Sequence, residues 1–121
     1  MDERMDLGKA GEQLAVDHLE ANGFIILDRN WHFSHKEIDI IARDRNDIVV
    51  IEVKTRNTPV RELPEQAINR QKRQFLISAA NAYVKYNRIS LEVRFDVINV
   101  VYHKGVPEVR HIRNAFFPTL W

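Results

Sequence analysis

The sequence predicts an α/β protein that forms one domain over residues 1–121. Three observations support this class. The chain is 45% hydrophobic over 121 residues, which suits one globular core. Two segments show the apolar spacing of helices, and five show the alternation or short apolar runs of strands. These segments follow one another in the order α-β-β-β-α-β-β.

The first helix is predicted over residues 6–22, because leucines recur near helical spacing and an Asn-Gly pair follows them. Gly8, Gly11 and Ala15 form a stripe of small residues along this helix. Since each glycine costs a helix roughly 1 kcal/mol, the stripe indicates a close approach to a neighbouring element.

The middle of the chain is predicted to form three strands, a loop and the second helix: residues 24–31, 37–43 and 48–54 as strands, 55–64 as the loop and 64–86 as the helix. Pro64 suits the first turn of that helix. Ile68 and Phe75 contribute to its predicted apolar side.

Two strands are predicted to end the chain, a buried one over residues 91–103 and a short one over residues 106–112. Pro107 favours a sheet edge for the last strand, because proline cannot donate to a central ladder. The apolar tail, residues 114–121, is expected to pack on the body or on a second subunit.

The segment EIDIIARDRNDIVVIEVK, residues 37–54, reads as a hairpin whose register can be derived. With the turn at residues 44–47, cross-strand partners have numbers that sum to 91. One face is then apolar and carries Ile38, Ile40, Ala42, Val49, Ile51 and Val53. On the other face Asp39 lies opposite Glu52, and Lys54 lies opposite Glu37.

Two carboxylates with Cβ atoms ~5 Å apart on a partly covered face require compensation. A shared proton, a nearby cation such as Lys54, or a bound metal could each provide it. Mg²⁺ typically binds one or two protein carboxylates together with waters and substrate phosphates, so a phosphodiester could complete such a site. Lys54 could orient the attacking water or stabilise the transition state. Glu12, beside Gly11, could be a further ligand or hold a metal-bound water.

From spacing alone, a surface hairpin with a Glu–Lys salt bridge explains these residues equally well. Glu37 could support the site as a neighbouring acid or form a salt bridge with Lys54, and we favour the salt bridge. Asp96 lies in an apolar strand beside Arg94, and we interpret it as a structural acid paired with an arginine.

The net charge is only +1, but residues 54–73 hold six basic residues and two acids. Such a patch suits a phosphate backbone, or simply a solvated helix face. Arg56 is the first candidate for a phosphate contact, because it closely follows the site strand. Lys72, Arg73 and His32 are further candidates, and Gln66 could line the site.

Several classes are excluded or disfavoured. The absence of cysteine excludes disulfides and thiolate metal sites, and the five histidines show no zinc-like spacing. No apolar run approaches the ~20 residues that span a bilayer, and the charged N-terminal segment does not read as a signal peptide. We therefore expect a soluble cytoplasmic protein with no membrane partner.

At Asp39, Glu52 and Lys54 the sequence resembles the restriction endonuclease-like superfamily, whose signature is an acid followed by a strand bearing acid-x-Lys. The resemblance implies an αβββαβ core with a mixed central sheet flanked by helices. Over nearly the whole chain, the segments LGKAGEQLA, EIDIIARD, VVIEVKTR, RFDVINV and NAFF resemble the YraN-like family of small bacterial proteins. The first-helix glutamate is also similar to that of archaeal Holliday-junction resolvases, which implies a site of Glu12, Asp39, Glu52 and Lys54.

Three hypotheses follow. The first is an endonuclease that uses Mg²⁺ or Mn²⁺ at Asp39, Glu52 and Glu12 to cut DNA, rather than RNA, with branched DNA as the leading substrate class. The second is a nucleic-acid-binding module of the same fold without catalysis. The third is a small interaction protein that pairs through its apolar tail. A homodimer is plausible, because cutting both strands with one site per chain needs two copies.

Overall fold

The computed structural model describes residues 3–60 and 68–118 and has the predicted element order. The elements are α1 (Glu3–Ala21), β1 (Ile25–Phe33), β2 (Lys36–Asp44), β3 (Asp47–Asn57), α2 (Arg70–Tyr86), β4 (Glu92–His103) and β5 (Val106–Phe116). The protein is thus an α/β protein, with a five-stranded mixed sheet and two helices in its described part. Within the described ranges, no helix is both long and apolar enough to cross a membrane.

The strands lie in the sheet in chain order, from β1 at one edge to β5 at the other. β3 and β4 are parallel and all other neighbours are antiparallel. Because parallel neighbours need a crossover connection, α2 lies in the link between β3 and β4. The edge position predicted for the last strand is confirmed, although that strand runs further than expected, to Phe116.

The two helices cover opposite faces of the sheet, which we call the α1 face and the α2 face. On the α1 face the core contains Ala15, Val16, Leu19, Ile40, Ala42, Val49, Ile51, Ile98 and Val100. On the α2 face it contains Ile38, Ile41, Ile48, Val50, Leu76, Ala79, Ala80, Tyr83 and Phe95. The sheet is therefore buried on both sides at its centre, and any polar group there must find a partner inside the protein.

α2 begins later than predicted. Asn69 is its N-cap, and the Asn69 side chain accepts a hydrogen bond from the backbone N–H of Lys72 at 2.8 Å. Asparagine is among the strongest N-cap residues, so it defines the start of the helix. Ile68 is buried but precedes the helix, and the predicted start at Pro64 lies outside the described residues.

Asp96 is buried in β4 and is the centre of a hydrogen-bonded cluster. It accepts hydrogen bonds from the Arg94 guanidinium at 2.9 and 3.0 Å and from the Asn114 backbone N–H at 3.1 Å, and its Oδ2 lies 2.8 Å from Nε2 of His111. Burial alone would raise the pKa of Asp96, but these partners outweigh it and hold the pKa below its usual value. The predicted arginine pairing is confirmed.

The described part of the tail packs on the body of the protein. The Phe116 ring stacks on Phe95 with centroids 4.8 Å apart, so this residue extends the core of the α2 face. Phe117 is exposed, and residues 119–121 lie outside the described part of the chain.

The close approach predicted for the small-residue stripe occurs at Gly11. A methyl group on Gly11 would overlap the Thr55 side chain, whereas one on Gly8 would meet nothing. Ala15 is fully buried in the same helix. The contact brings α1 directly onto the C-terminal half of β3, next to Lys54.

Replacement of Gly11 by alanine should therefore destabilise the protein by about 1–3 kcal/mol, because α1 or Thr55 must shift. Urea unfolding of Gly11→Ala measures the effect. Gly8→Ala is the matched control, and it should be neutral or stabilising by up to about 1 kcal/mol through helix propensity. Adding Thr55→Ala to Gly11→Ala should recover part of the loss. Equal effects at the two glycines would contradict the close packing.

Candidate functional site

The first two strands share a local distortion centred on Asn30 and Asp39. Asn30 has a left-handed backbone with φ of 53°, a conformation that asparagine tolerates better than most residues. The regular pairing of β1 with β2 skips these two residues and resumes on either side of them. The simple alternation of side chains between the two faces is therefore interrupted at this point.

The distortion turns Asp39 towards α1. Ile38 and Ile41 both pack on the α2 face, whereas Ile40 packs on the α1 face. Two successive residues of β2 thus lie on the α1 side, and Asp39 lines a cavity there together with Glu12. The prediction that Ile38 shares a face with Ile40 is wrong, and this break in alternation is the reason.

The predicted hairpin register is confirmed as far as Ile40, which pairs with Ile51, and each of the five pairs sums to 91. Beyond that pair β2 and β3 separate. The predicted pairing of Asp39 with Glu52 is absent from the ladder. Instead, Oδ2 of Asp39 accepts a hydrogen bond from the backbone N–H of Val53 at 2.8 Å. The carboxylate thus occupies the opening between the two strands.

Glu52 lies on the other side of that opening. It is 5% exposed, and its Oε1 lies 3.7 Å from Nζ of Lys54 and 3.4 Å from Nζ of Lys72 in α2. Its Oε2 is buried and makes no hydrogen bond with any described residue. The predicted proximity of Lys54 to Glu52 is confirmed. The prediction that Asp39 and Glu52 share one face is wrong, because they reach the opening from opposite faces.

Glu12 is held at the α1 side of the site by two residues of the distorted strand. Its Oε1 accepts hydrogen bonds from Nδ2 of Asn30 at 3.0 Å and from Nη2 of Arg29 at 3.4 Å. The cavity that Glu12 shares with Asp39 and Thr55 has a volume of about 510 Å³. The structure therefore brings Glu12 to the same cavity as Asp39, although the partners of Glu12 are protein side chains.

The electrostatics of the opening are unfavourable for ionised Asp39. Burial, followed by the charges of Glu52 and Glu12, raises the pKa of Asp39 to about 7. The hydrogen bond from Val53 and the charge of Lys72 act in the opposite direction but do not cancel the effect. Asp39 is therefore within electrostatic reach of Glu52 despite their approach from different faces.

Two observations test whether these residues fit a divalent cation. The buried Oε2 of Glu52 lacks a donor among the described residues, and burial together with the charges of Glu52 and Glu12 raises the pKa of Asp39. Within the described ranges, no three histidine or acidic side chains converge closely enough to hold one ion. The protein can thus offer two carboxylates, Asp39 and Glu52, which is the number that Mg²⁺ typically takes. The chemistry of these donors suits a hard cation completed by water and phosphate, and they approach the opening from opposite faces, Asp39 from the α1 face and Glu52 from the α2 face.

The other predicted residues are distributed around this site. Arg56 donates a hydrogen bond to the Thr55 carbonyl at 2.9 Å, and Arg73 donates one to the Ile68 carbonyl at 3.0 Å. Gln66 lies outside the described residues.

His32 lies at the exposed end of the β1–β2 hairpin. Its side chain is 76% exposed, and its Nε2 lies 3.2 Å from Oε2 of Glu37. The predicted Glu37–Lys54 salt bridge is not formed. Lys54 pairs with Glu52 instead, because β2 and β3 separate before Glu37 can reach it.

Sequence reasoning missed Arg29 and Asn30, the two residues that hold Glu12. Each is polar and lies in a strand, and neither belongs to a motif. The available signal was weak: an asparagine within a strand can mark a left-handed position, but Asn30 follows two other polar residues of β1, Asp28 and Arg29. That signal does not say towards which helix the neighbouring side chains turn.

The fold and the site together define a class: small α/β proteins with a mixed five-stranded sheet that opens around two acids and two lysines. Residues 11–100 match the model of the uncharacterised protein family UPF0102, and the chain belongs to that family. The resemblance to the YraN-like family is thereby confirmed.

Curated relatives match the chain over nearly its whole length. A UPF0102 protein of Bacteroides thetaiotaomicron is 43% identical over 121 residues, which is 100% of both chains. One from Bacteroides fragilis is 42% identical over 115 residues, 95% of both chains, and one from Flavobacterium psychrophilum is 42% identical over 117 residues, 97% of this chain and 98% of the relative. The names of these relatives state the family and no activity.

Asp39 should make the stability of the metal-free protein depend on pH. Its pKa is about 7 in the folded protein and 3.8 for an unperturbed aspartate, so as pH rises the unfolded chain releases this proton first. Stability is therefore lost as pH rises from about 4 to about 7. Asp39→Asn, which keeps an acceptor for Val53, should stabilise the protein at about pH 8 by roughly 2–4 kcal/mol and much less at about pH 4.

Urea unfolding across this pH range, with a chelator present, measures the difference between Asp39→Asn and wild type. Glu37→Gln is the matched control, because Glu37 is an acid of the same strand that pairs with His32 at the surface. An unchanged difference between about pH 4 and about pH 8 would show that Asp39 is ionised normally.

Proposed function

We propose that this protein is a metal-dependent endonuclease that hydrolyses phosphodiester bonds in DNA at a site formed by Asp39, Glu52 and Lys54. One observation carries the proposal: the carboxylate of buried Glu52 has an oxygen without a hydrogen-bond donor among the described residues, beside a second acid, Asp39, whose pKa is raised first by burial and then by the charge of Glu52. A fold gains nothing in stability from such an arrangement, since a buried carboxylate without full pairing is costly. The arrangement is expected where the acids serve a ligand.

Asp39 and Glu52 would hold Mg²⁺ or Mn²⁺ in the opening between β2 and β3. When bound, the ion would neutralise charge on the phosphate and make a bound water more acidic. Occupancy would also supply Glu52 Oε2 with the partner that it lacks among the described residues. A phosphate of the substrate would complete the ligands of the ion, since Mg²⁺ sites commonly include substrate phosphates.

Lys54 is proposed as the catalytic lysine. Its Nζ lies 3.7 Å from Glu52 Oε1, and its side chain is 22% exposed, so it can reach both the acid and an incoming phosphate. An ammonium there would stabilise the negative charge that develops on the phosphate during attack. Glu12, held by Asn30 and Arg29, would orient a water that enters through the cavity on the α1 side.

DNA is proposed as the substrate because the sequence pattern of Asp39, Glu52 and Lys54 resembles the restriction endonuclease-like superfamily. The set with Glu12 resembles Holliday-junction resolvases, which makes branched DNA the first substrate to examine. Arg56, Arg73 and His32 are proposed phosphate contacts around the site. A homodimer is proposed for cutting of both strands, since each chain supplies one site.

A second candidate is a nucleic-acid-binding module of the same fold that does not catalyse. It is favoured by the approach of Asp39 and Glu52 from opposite faces and by the engagement of Glu12 with Asn30 and Arg29. Such a module would bind nucleic acid in a salt-dependent manner, and binding would survive Asp39→Asn.

The proposed metal site predicts that Mn²⁺ binds the wild-type protein and that Asp39→Asn and Glu52→Gln each weaken binding at least about tenfold, since each removes one of two charged ligands. Isothermal titration calorimetry measures this. Glu37→Gln controls for the loss of a nearby acid and should bind as wild type. Unfolding curves for each variant separate loss of the site from loss of the fold.

The proposed role of Lys54 predicts a different result for Lys54→Ala. This variant should keep Mn²⁺ binding but cleave DNA at least about 100-fold more slowly, because it loses stabilisation of the transition state. A panel of linear, flapped and four-way DNA with Mg²⁺ or Mn²⁺ measures cleavage. Absence of cleavage of every form by the wild-type protein would overturn the endonuclease. DNA binding that persists without turnover would then support the second candidate.

A further inference from the structure

Two phenylalanines and two lysines lie together on the α2 side of the sheet, next to Glu52. Phe33 of β1 and Phe75 of α2 have ring centroids 6.1 Å apart, and both rings are only partly buried. Lys36 at the start of β2 and Lys72 in the first turn of α2 approach the same Phe75 ring. We call Phe33, Lys36, Lys72 and Phe75 the aromatic–lysine strip.

The described residues balance the charges in this strip only in part. The Nζ atoms of Lys36 and Lys72 lie 5.5 and 5.7 Å from the Phe75 centroid, so two like charges are held near one ring. Lys72 has Glu52 as its partner at 3.4 Å, but Lys36 has no acidic partner among the described residues. Cation–π attraction offsets part of the repulsion and leaves the strip positive.

The start of α2 adds to this positive charge. Its first turn contains Arg70, Lys72 and Arg73 and no acidic residue. Helices favour negative charge at this end, because the macrodipole is positive there. A bound anion near Lys72 would relieve an arrangement that the helix itself disfavours.

We propose that the aromatic–lysine strip binds unpaired nucleotides of a single nucleic-acid strand. A base would stack against Phe33 or Phe75, and the adjoining phosphates would contact Lys36 and Lys72. Partly exposed rings beside cations are the combination by which proteins hold single strands without reading sequence. An acidic peptide would satisfy the lysines but would leave the rings without a flat partner.

The direction in which the bound nucleic-acid strand runs, from the strip towards the acids, rests on the proposed function. Lys72 contacts both Glu52 and the Phe75 ring, so one side chain links the strip to the acids. A nucleotide on the strip would place the neighbouring phosphodiester towards Glu52. The substrate class that follows is a strand that is unpaired next to the cut, as in a flap or at a branch point.

Tryptophan fluorescence provides a direct test. The Trp31 and Phe33 rings lie nearly parallel at 10°, with centroids 6.3 Å apart, so a base stacked on Phe33 should quench Trp31. The chain contains two tryptophans, and Trp121→Phe leaves Trp31 as the single reporter. Titration with an oligothymidylate about 15 nucleotides long, and with the matching oligouridylate, should give saturable quenching that weakens with salt.

Variants separate stacking from simple charge. Phe33→Leu and Phe75→Leu keep apolar side chains, and each should weaken binding of the single strand about tenfold. Lys36→Ala should weaken binding and reduce its salt dependence, whereas Lys104→Ala, in the exposed turn between β4 and β5, should do neither. The proposal predicts weaker binding of a duplex of the same length. The two oligonucleotides distinguish DNA from RNA, and either one fits the proposal.

The inference is overturned if neither oligonucleotide quenches Trp31, or if both phenylalanine variants bind like the unsubstituted protein. It is also overturned if polyglutamate competes as well as the oligonucleotide, because the surface would then recognise charge alone. Binding through the strip without cleavage of any DNA would reject the proposed nuclease and keep this inference. Mn²⁺-dependent cleavage that does not change in the phenylalanine variants would support the proposed nuclease and reject the role of the strip.

Discussion

The cost of burying carboxylates at the centre of a covered sheet is the constraint around which this structure is arranged. Glu52 and Asp39 lie where β2 and β3 separate, with α1 on one face and α2 on the other. Two lysines partly neutralise Glu52, and a backbone N–H partly satisfies Asp39. Asp96, which is buried in the same sheet, is more fully partnered than Glu52 or Asp39. A guanidinium, an imidazole and a backbone N–H all contact its carboxylate.

The hairpin register could be predicted because strand alternation and a short turn determine it together. Apolar residues on one face of β2 and β3 leave a single pairing that buries them, and the five observed pairs follow it. Alternation could not predict the break at Asp39, because its cause lies in the neighbouring strand. The left-handed Asn30 lies where the pairing of β1 with β2 skips a residue on each strand, and no count along β2 contains that information.

In the candidate site, too, some contacts could be predicted from the sequence and others could not. Lys54 could be assigned to Glu52 because residues two apart in a strand share a face. The contact between Lys72 and Glu52 could not be derived, because it depends on where α2 starts and how it lies on the sheet. Asn69, and not a residue near Pro64, caps that helix, and Lys72 thereby falls within its first turn. Local patterns thus predict neighbours within an element, whereas the meeting of elements depends on packing.

The parallel pairing of β3 with β4 has a consequence for the order of assembly. Asp47 pairs with Glu92 and Asn57 with Tyr102, each 45 positions further along the chain, whereas β1, β2 and β3 are joined by short turns. Short loops close at a lower entropic cost than long ones, so the first three strands can associate while the crossover is still open. Asp39 and Glu52 would then approach each other before Lys72 of α2 is in place. The repulsion between the two carboxylates would therefore oppose the association of β2 with β3 until the crossover through α2 forms.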